Sequence, residues 1–192
     1  MAVTIKVECQ DFVFGASWDV LPMQYDDTPD YKKLLQGTPS ANAVDLVGNV
    51  GGRIYLIEVK DYRSDGQSKS SADLAIWVST KVRDSIAGML GFQRSSTMPD
   101  QWRRFVKQLA RPDGKPVVVL FVEDYELYVK NAGKLKPKRE VLRELLKQKL
   151  SWLCPDVFVV SASSQGLPDL LVANRPGAAG HKHLHASEER QI

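Results

Sequence analysis

The sequence predicts an α/β protein with a mixed sheet at its centre. Strand-like and helix-like segments alternate through the second half of the chain, whereas a hairpin of two apolar strands dominates the first half. A valine-rich run at residues 116–123 is typical of a buried central strand, because such strands are covered on both faces. Alternating strands and helices are the pattern of a layered α/β fold.

Length and composition favour one soluble globular domain. The chain has 192 residues, of which 43% are hydrophobic and 26% charged, so it is long enough to bury a core. We expect a single domain at residues 1–173 and a disordered tail at 174–192, where glycine, alanine and histidine accumulate. The net charge of +3 permits a polyanionic partner without requiring one.

The first residues and the cysteines indicate a cytoplasmic protein. The N-terminus lacks the apolar core of a signal peptide, and no stretch approaches the roughly 18 apolar residues of a membrane span. Cys9 and Cys154 are isolated in the sequence, which argues against a zinc-binding cysteine cluster and fits a reducing compartment. A single disulfide between them stays open as an alternative.

Four elements are predicted in the first half of the chain. Residues 3–9 alternate apolar and polar side chains, as an edge strand does. Residues 30–36 form a short helix that a glycine and a proline end. Residues 43–48 and 53–60 are apolar strands, and the GNVGG link between them has the glycines of a tight hairpin. These two strands are therefore expected to be antiparallel neighbours.

The second half alternates helices and strands. Residues 72–91 carry an apolar stripe at helical spacing, and residues 99–110 form another helix with proline in its first turn. The buried strand at 116–123 follows an Asp-Gly turn. A leucine-rich helix at 137–153 and a strand at 157–163 complete the predicted elements.

The stretch AVDLVGNVGGRIYLIEVK contains the residues with the clearest chemical meaning. Glu58 and Lys60 lie two apart on a predicted strand, so their side chains share one face of the sheet. Asp45 lies on the partner strand across the hairpin. Pairing through the turn can bring its carboxylate to the same end of the same face.

Such a trio suits a divalent cation and phosphodiester hydrolysis. Two converging carboxylates repel each other unless a cation joins them. Mg²⁺ prefers oxygen ligands, and a metal bound to Asp45 and Glu58 polarises a phosphate oxygen and lowers the pKa of its bound water. Lys60 would orient that water and neutralise charge developing on the phosphate. The alternative is a solvated Glu58–Lys60 pair on an edge strand, which the apolar surroundings of both strands disfavour.

The spacing of Asp45, Glu58 and Lys60 across a hairpin resembles the PD-(D/E)XK nuclease superfamily, also called restriction-endonuclease-like. The resemblance implies a central mixed sheet flanked by helices, with an α-β-β-β-α-β core. It also implies Mg²⁺-dependent or Mn²⁺-dependent cleavage of nucleic acid, usually DNA. Asp45, Glu58 and the backbone carbonyl of Val59 would bind the metal, and Lys60 would orient the water. Val44 stands where the family pattern has proline, which is a common variation.

Further site residues are expected around this trio. Asp26 and Asp27 are candidates for the additional acid that many members of the superfamily place on the first helix, although an Asp there also serves as a helix cap. Glu8 is interpreted as a strand surface residue. Four basic side chains are candidate phosphate contacts, with exposed ion pairs or a solvated helix face as the alternative: Lys81, Arg83, Arg103 and Arg104.

The sequence therefore predicts a cytoplasmic, metal-dependent deoxyribonuclease that acts with protein partners or as a homodimer. Bacterial defence or DNA repair would fit such an enzyme. The main alternative is a nuclease-fold module that binds nucleic acid or protein and no longer cuts. RNA cleavage or an unrelated α/β hydrolase is a third interpretation.

Overall fold

Two sheets and four α-helices make up the described part of the chain. The computed structural model describes residues 2–62, 70–112, 114–124, 132–164 and 166–175, with the backbone alone for 124 and 132–138. The elements in chain order are β1 (Val3–Val7), β2 (Gln10–Phe14), β3 (Asp19–Val20), a 3-10 turn (Tyr25–Asp27), α1 (Pro29–Gly37), β4 (Leu46–Val50), β5 (Arg53–Tyr62), α2 (Ser71–Ser95), α3 (Pro99–Leu109), β6 (Val117–Asp124), α4 (Ala132–Lys149), β7 (Asp156–Val160) and β8 (Leu170–Asn174).

The predicted hairpin is present as β4 and β5. Val50 pairs with Arg53, so the turn contains only Gly51 and Gly52, whose φ angles are 59° and 75°. Two residues with positive φ are what a type I′ turn requires, and glycine adopts that conformation without strain. The predicted strand at 43–48 is displaced to Leu46–Val50, because the turn is shorter than the GNVGG run suggested.

A five-stranded mixed sheet forms the centre of the protein, in the order β3-β4-β5-β6-β7. The first three strands are antiparallel neighbours, whereas β5, β6 and β7 run parallel. The valine-rich strand β6 is central, and its residues 117–121 have no exposed surface. The predicted mixed α/β class and the buried central strand are both confirmed.

The order of elements differs in part from the expected α-β-β-β-α-β core. Among the described residues between α1 and α2, two strands follow α1 rather than three. The antiparallel place beside β4 is taken by β3, which precedes α1 in the chain. The sheet thus has the expected mixture of strand directions, with one strand contributed from an earlier segment.

Each face of this sheet has its own apolar cluster. Leu56, Val118 and Leu120 pack with the helices, including Val78 and Val82 of α2. The opposite face packs on a separate antiparallel sheet of order β1-β2-β8, where the Phe12 and Phe121 rings meet edge to face with centroids 5.1 Å apart. The result is three layers: helices, the mixed sheet and the three-stranded sheet.

The strands β2, β3 and β8 are not predicted by the sequence analysis. The segment 3–9 was interpreted as one strand, but the chain turns at Glu8 and Cys9, and Val7 pairs with Gln10 in β2. Strand β8 extends one residue beyond the predicted end of the domain at 173, because Asn174 pairs with Gln10. The three histidines of the predicted tail lie outside the described residues.

Both cysteines, Cys9 and Cys154, are free thiols, so no disulfide joins them. Within the described ranges, none of the helices combines the length and the apolar character needed to cross a membrane.

Candidate active site

Asp45 lies immediately before β4 and is fixed on several sides. Its Oδ2 accepts a hydrogen bond from the Val59 N–H at 2.7 Å, across the hairpin. Its backbone carbonyl accepts from the Tyr25 N–H at 2.8 Å. The preceding residue is tied to α2, because the Val44 N–H donates to Ser85 Oγ at 2.9 Å. The sequence predicts Asp45 inside a strand, but β4 begins only at Leu46. The Asp45 side chain accepts the Val59 N–H, as a backbone carbonyl of a longer β4 would.

Glu58 projects from β5 toward α2 and has no exposed surface. Lys81 of α2 donates to both of its oxygens, at 2.8 Å to Oε1 and 2.9 Å to Oε2. The pKa of Glu58 is raised to about 8, first by burial and then by the nearby Asp45 charge, against the opposing effects of Lys81 and Lys60. A buried carboxylate with a raised pKa beside a second carboxylate is typical of a functional site.

Lys60 lies beside Glu58, as the shared strand face requires. Its Nζ is 3.4 Å from Glu58 Oε1 and 3.6 Å from Glu8 Oε1, and 21% of its side chain is exposed. The structure therefore brings Asp45, Glu58 and Lys60 together at one end of the hairpin. They face the helical layer, because Glu58 and Lys60 alternate with residues that face the three-stranded sheet.

Lys81 occupies the space between the two carboxylates. Its Nζ is 2.8 Å from Glu58 Oε1 and 3.5 Å from Asp45 Oδ1. The alternative interpretation of Lys81 as part of an exposed ion pair is wrong, and Asp84, three residues further along α2, is not its partner. Asp84 instead accepts from Arg83 and from the Asn42 N–H, while Lys81 is buried against the sheet.

Trp77 contacts both lysines, and sequence analysis missed it. Its ring centroid lies 4.3 Å from Lys60 Nζ and 4.2 Å from Lys81 Nζ. Two nitrogens on opposite faces of the ring would be about 8.5 Å apart. Both nitrogens lie so close to Glu58 Oε1, at 3.4 and 2.8 Å, that they cannot be that far apart. Both ammonium groups therefore lie on the same side of the indole. The signal was present, because positions 77 and 81 are one helical turn apart.

The acid candidates differ in position. Asp26 is close enough to Asp45 for that charge to raise its pKa, although burial is the larger cause. Asp27 points outward and pairs with Lys32 at 3.1 Å. Glu8, interpreted as a surface residue of a strand, instead reaches Lys60 from the turn between β1 and β2. Its pKa is raised by burial, against the opposing effect of Lys60.

The oxygen atoms that converge here suit a hard divalent cation. Asp45 and Glu58 supply two carboxylates, and the Val59 carbonyl lies on the same strand edge as its N–H, because both groups of a strand residue point to one neighbour. The set holds two acids and one carbonyl. Because only two of these ligands are side chains, the set is smaller than a cluster of three His, Cys, Asp or Glu side chains, and no such cluster occurs in the described residues.

Comparison with known proteins gives no match. No protein-family model, curated protein or solved structure is similar to the chain. What the site can do must therefore be inferred from its own chemistry.

The three predicted arginine contacts lie away from this trio. Arg83 pairs with Asp84 and lines a cavity of about 590 Å³ between α1 and α2. Arg103 pairs with Asp100 at 3.0 Å. Arg104 pairs with Asp19 at 2.9 Å, and Asp19 lies opposite Asn49, near the hairpin turn. Asn49 is four residues along the chain from Asp45, or about 13 Å in a strand. Lys81 alone of the four basic candidates contacts the trio.

Proposed function

We propose that this chain is a divalent-metal-dependent nuclease of the restriction-endonuclease-like type. Its proposed substrate is nucleic acid, with DNA favoured over RNA. The observation that carries the proposal is the convergence of two carboxylates and two lysines at the open end of the hairpin. Glu58 lies within 3.4 Å of both ammonium groups, and Lys81 also reaches Asp45 at 3.5 Å. Phosphodiester hydrolysis uses these parts together.

The position between Asp45 and Glu58 already attracts a cation. Lys81 holds its ammonium there, and the raised pKa of Glu58 indicates that its negative charge is poorly compensated by the protein alone. Mg²⁺ or Mn²⁺ would be held by Asp45, Glu58 and the Val59 carbonyl. Such an ion supplies Lewis acidity and lowers the pKa of a coordinated water.

The residues of the chain have separate roles in this proposal. Lys60 is on the solvent side of Glu58, with about a fifth of its side chain exposed, so it can hold the attacking water and neutralise charge on the phosphate. Lys81 adds a second positive charge on the same face for a phosphate oxygen. Asp45 and Glu58 hold the cation, and the hairpin holds their spacing.

Cleavage assays with purified protein test the function. Linear DNA, supercoiled DNA and RNA are incubated with Mg²⁺, with Mn²⁺ or with EDTA. We expect metal-dependent cutting that falls at least about a hundredfold in Asp45→Asn and in Lys60→Ala. Asparagine can still accept from the Val59 N–H, so the strand contact is kept while the charge is lost.

Exposed residues supply the matched controls. Asp100, 84% exposed in α3, and Lys32, 61% exposed in α1, are changed to Asn and Ala and should leave cutting unchanged. Cutting that persists in EDTA, or in both site variants, would contradict the proposal.

One observation favours a second function, a nuclease-fold module that binds without cutting. The Lys81 ammonium already lies between the two carboxylates, where a metal would lie. A protein that binds DNA or RNA equally well with and without metal, and cuts neither under any condition, would be such a module. Lys81→Met then should not create metal-dependent cutting.

A further inference from the structure

Glu8 has a backbone conformation that a glutamate rarely adopts. It is the first of the two residues that join β1 to β2, between Val7 and Gln10, and its φ is 49°. Tight hairpin turns place glycine or asparagine at such positions, because a side chain there strains the backbone. The turn itself therefore gives no reason for a glutamate, and a strained residue invites a search for what its side chain does.

Both carboxylate oxygens of Glu8 contact the candidate active site. Oε2 accepts a hydrogen bond from the Asp61 N–H at 2.6 Å, and Oε1 lies 3.6 Å from Lys60 Nζ. The first contact continues a pattern along β5. Beyond the end of β4, the Asp45 carboxylate accepts from Val59 and the Glu8 carboxylate accepts from Asp61, two residues further on.

We propose that Glu8 is a positioning residue of the active site, carried there by the N-terminal hairpin to fix the Lys60 ammonium beside Glu58. This inference rests on the proposed nuclease function and names a part of the site that lies outside the Asp45, Glu58 and Lys60 pattern.

The contacts around Lys60 explain why such a residue is needed. A lysine side chain has four rotatable bonds, so its ammonium is placed only where several groups hold it. Glu8 and Glu58 approach Nζ at 3.6 and 3.4 Å, and the Trp77 ring lies 4.3 Å away. Glu58 is also bound by Lys81, and the proposed metal would draw on it further. Among the residues that the structure describes, Glu8 is the other carboxylate that forms an ion pair with Lys60.

Two substitutions separate this role from a structural one. Glu8→Gln keeps the shape and can still accept from the Asp61 N–H, but it removes the charge that faces Lys60. Glu8→Asn shortens the side chain and suits the left-handed turn, so it should fold at least as stably as the wild type. Cys9→Ser, at the other turn position, is the matched control.

The first measurement is the single-turnover cleavage rate at saturating protein, beside DNA affinity and melting temperature. We expect both Glu8 variants to cut about tenfold more slowly or worse, with unchanged affinity and no loss of melting temperature. Cys9→Ser should match the wild type in all three.

The second measurement does not depend on cutting. Lysine ammonium protons give NMR signals when ion pairs or hydrogen bonds slow their exchange with water, and the Lys60 signal should be lost or broadened when Glu8→Gln removes the ion pair. Lys81, which both oxygens of Glu58 hold, is the internal reference and should keep its signal. An unchanged rate or an unchanged Lys60 signal overturns the proposal. If the wild type cuts nothing, the nuclease function fails, and the Lys60 signal alone decides whether Glu8 fixes the ammonium.

Discussion

At the scale of single residues, the buried Glu58 carboxyl is costly to ionise in the folded protein. Its pKa, raised from 4.5 to about 8 by burial and by Asp45, means that the metal-free folded protein retains a proton that the unfolded chain releases. The contribution of Glu58 to the free energy of unfolding is therefore greatest below the pKa that Glu58 has in the unfolded chain. It is lost as the pH rises through the pKa that Glu58 has in the folded protein. A divalent cation would remove this penalty, because it stabilises the ionised form.

We predict a pH-dependent effect of Glu58→Gln in the presence of a chelator. Between about pH 5 and about pH 9 the wild type should lose on the order of 3 kcal/mol of stability that the variant retains. The two should be similar at the acidic end, where folded Glu58 is already neutral. Urea unfolding at several pH values measures the difference, with Glu144→Gln on the exposed face of α4 as control. Parallel pH profiles of the wild type and Glu58→Gln would contradict the raised pKa.

Lys81→Met tests whether the ammonium occupies the place of the metal. Removing the partner of a buried carboxylate should cost about 3–5 kcal/mol at alkaline pH and less below neutrality, where Glu58 is protonated. Mg²⁺ should raise the melting temperature of the variant more than that of the wild type, since no ammonium has to be displaced. Equal shifts would show that Lys81 and the metal do not compete. Lys32→Met is the exposed control.

The central trio was predictable, and its surroundings were not. Glu58 and Lys60 share a face because side chains alternate along a strand. The glycine-rich link predicts the hairpin, and the hairpin brings Asp45 beside them. Glu8 could not be found, because its contact depends on β1, β2 and their turn packing against the edge of β5. The burial of Lys81 depends likewise on how α2 rotates toward the sheet.

At the scale of elements, α2 does the most to hold the site in place. It supplies Lys81, Ser85 and Trp77, and its Gly88 lies directly under the Tyr25 side chain. A Cβ at position 88 would be 2.6 Å from Tyr25 Oη, whose hydroxyl donates to the Ser85 carbonyl at 2.9 Å. The close approach of helix and 3-10 turn therefore requires glycine.

Two glycines of the same helix give opposite predictions. Gly88→Ala should destabilise the protein by about 1–3 kcal/mol through overpacking against Tyr25. Gly91→Ala should stabilise it by about 0.5–1 kcal/mol, because nothing lies within 4 Å of the added Cβ and alanine favours a helix. Thermal or urea unfolding of both variants measures the signs. Equal effects would contradict the placement of α2 against the 3-10 turn.

Element prediction succeeded where periodicity was long. The apolar stripe of α2 and the valine run of β6 each contain enough residues to define their type. The strands β3 and β8 contain two and five residues. Strands this short form because of the strands they pair with. Strand β8 pairs with β2 from the other end of the chain, and the periodicity of the sequence cannot predict that pairing.

At the scale of the whole molecule, the three-stranded sheet is part of the same folded unit as the site. Phe12 has no exposed surface and lies against Phe121 of the central strand. The buried faces of both sheets form one apolar cluster. The hairpin that carries Glu8 is therefore held by the core rather than by its own turn.

We predict that Phe12→Ala costs about 3–5 kcal/mol and lowers cleavage activity together with stability. Leu171→Ala, on the neighbouring strand β8 but 63% exposed, should change stability by less than about 0.5 kcal/mol.

Circular dichroism and tryptophan fluorescence should report the same unfolding midpoint in the wild type. Separate midpoints would show that the small sheet unfolds independently.

The two carboxylates at the edge of β5 also have a consequence for solubility. Strand edges with uncovered N–H groups can recruit a strand from another molecule and start aggregation. Beyond the end of β4, Asp45 and Glu8 accept the N–H groups of Val59 and Asp61, so a foreign strand would meet negative charge where it needs carbonyl oxygens. The same side chains that line the candidate active site thus occupy positions on β5 that a strand from another molecule would need for pairing.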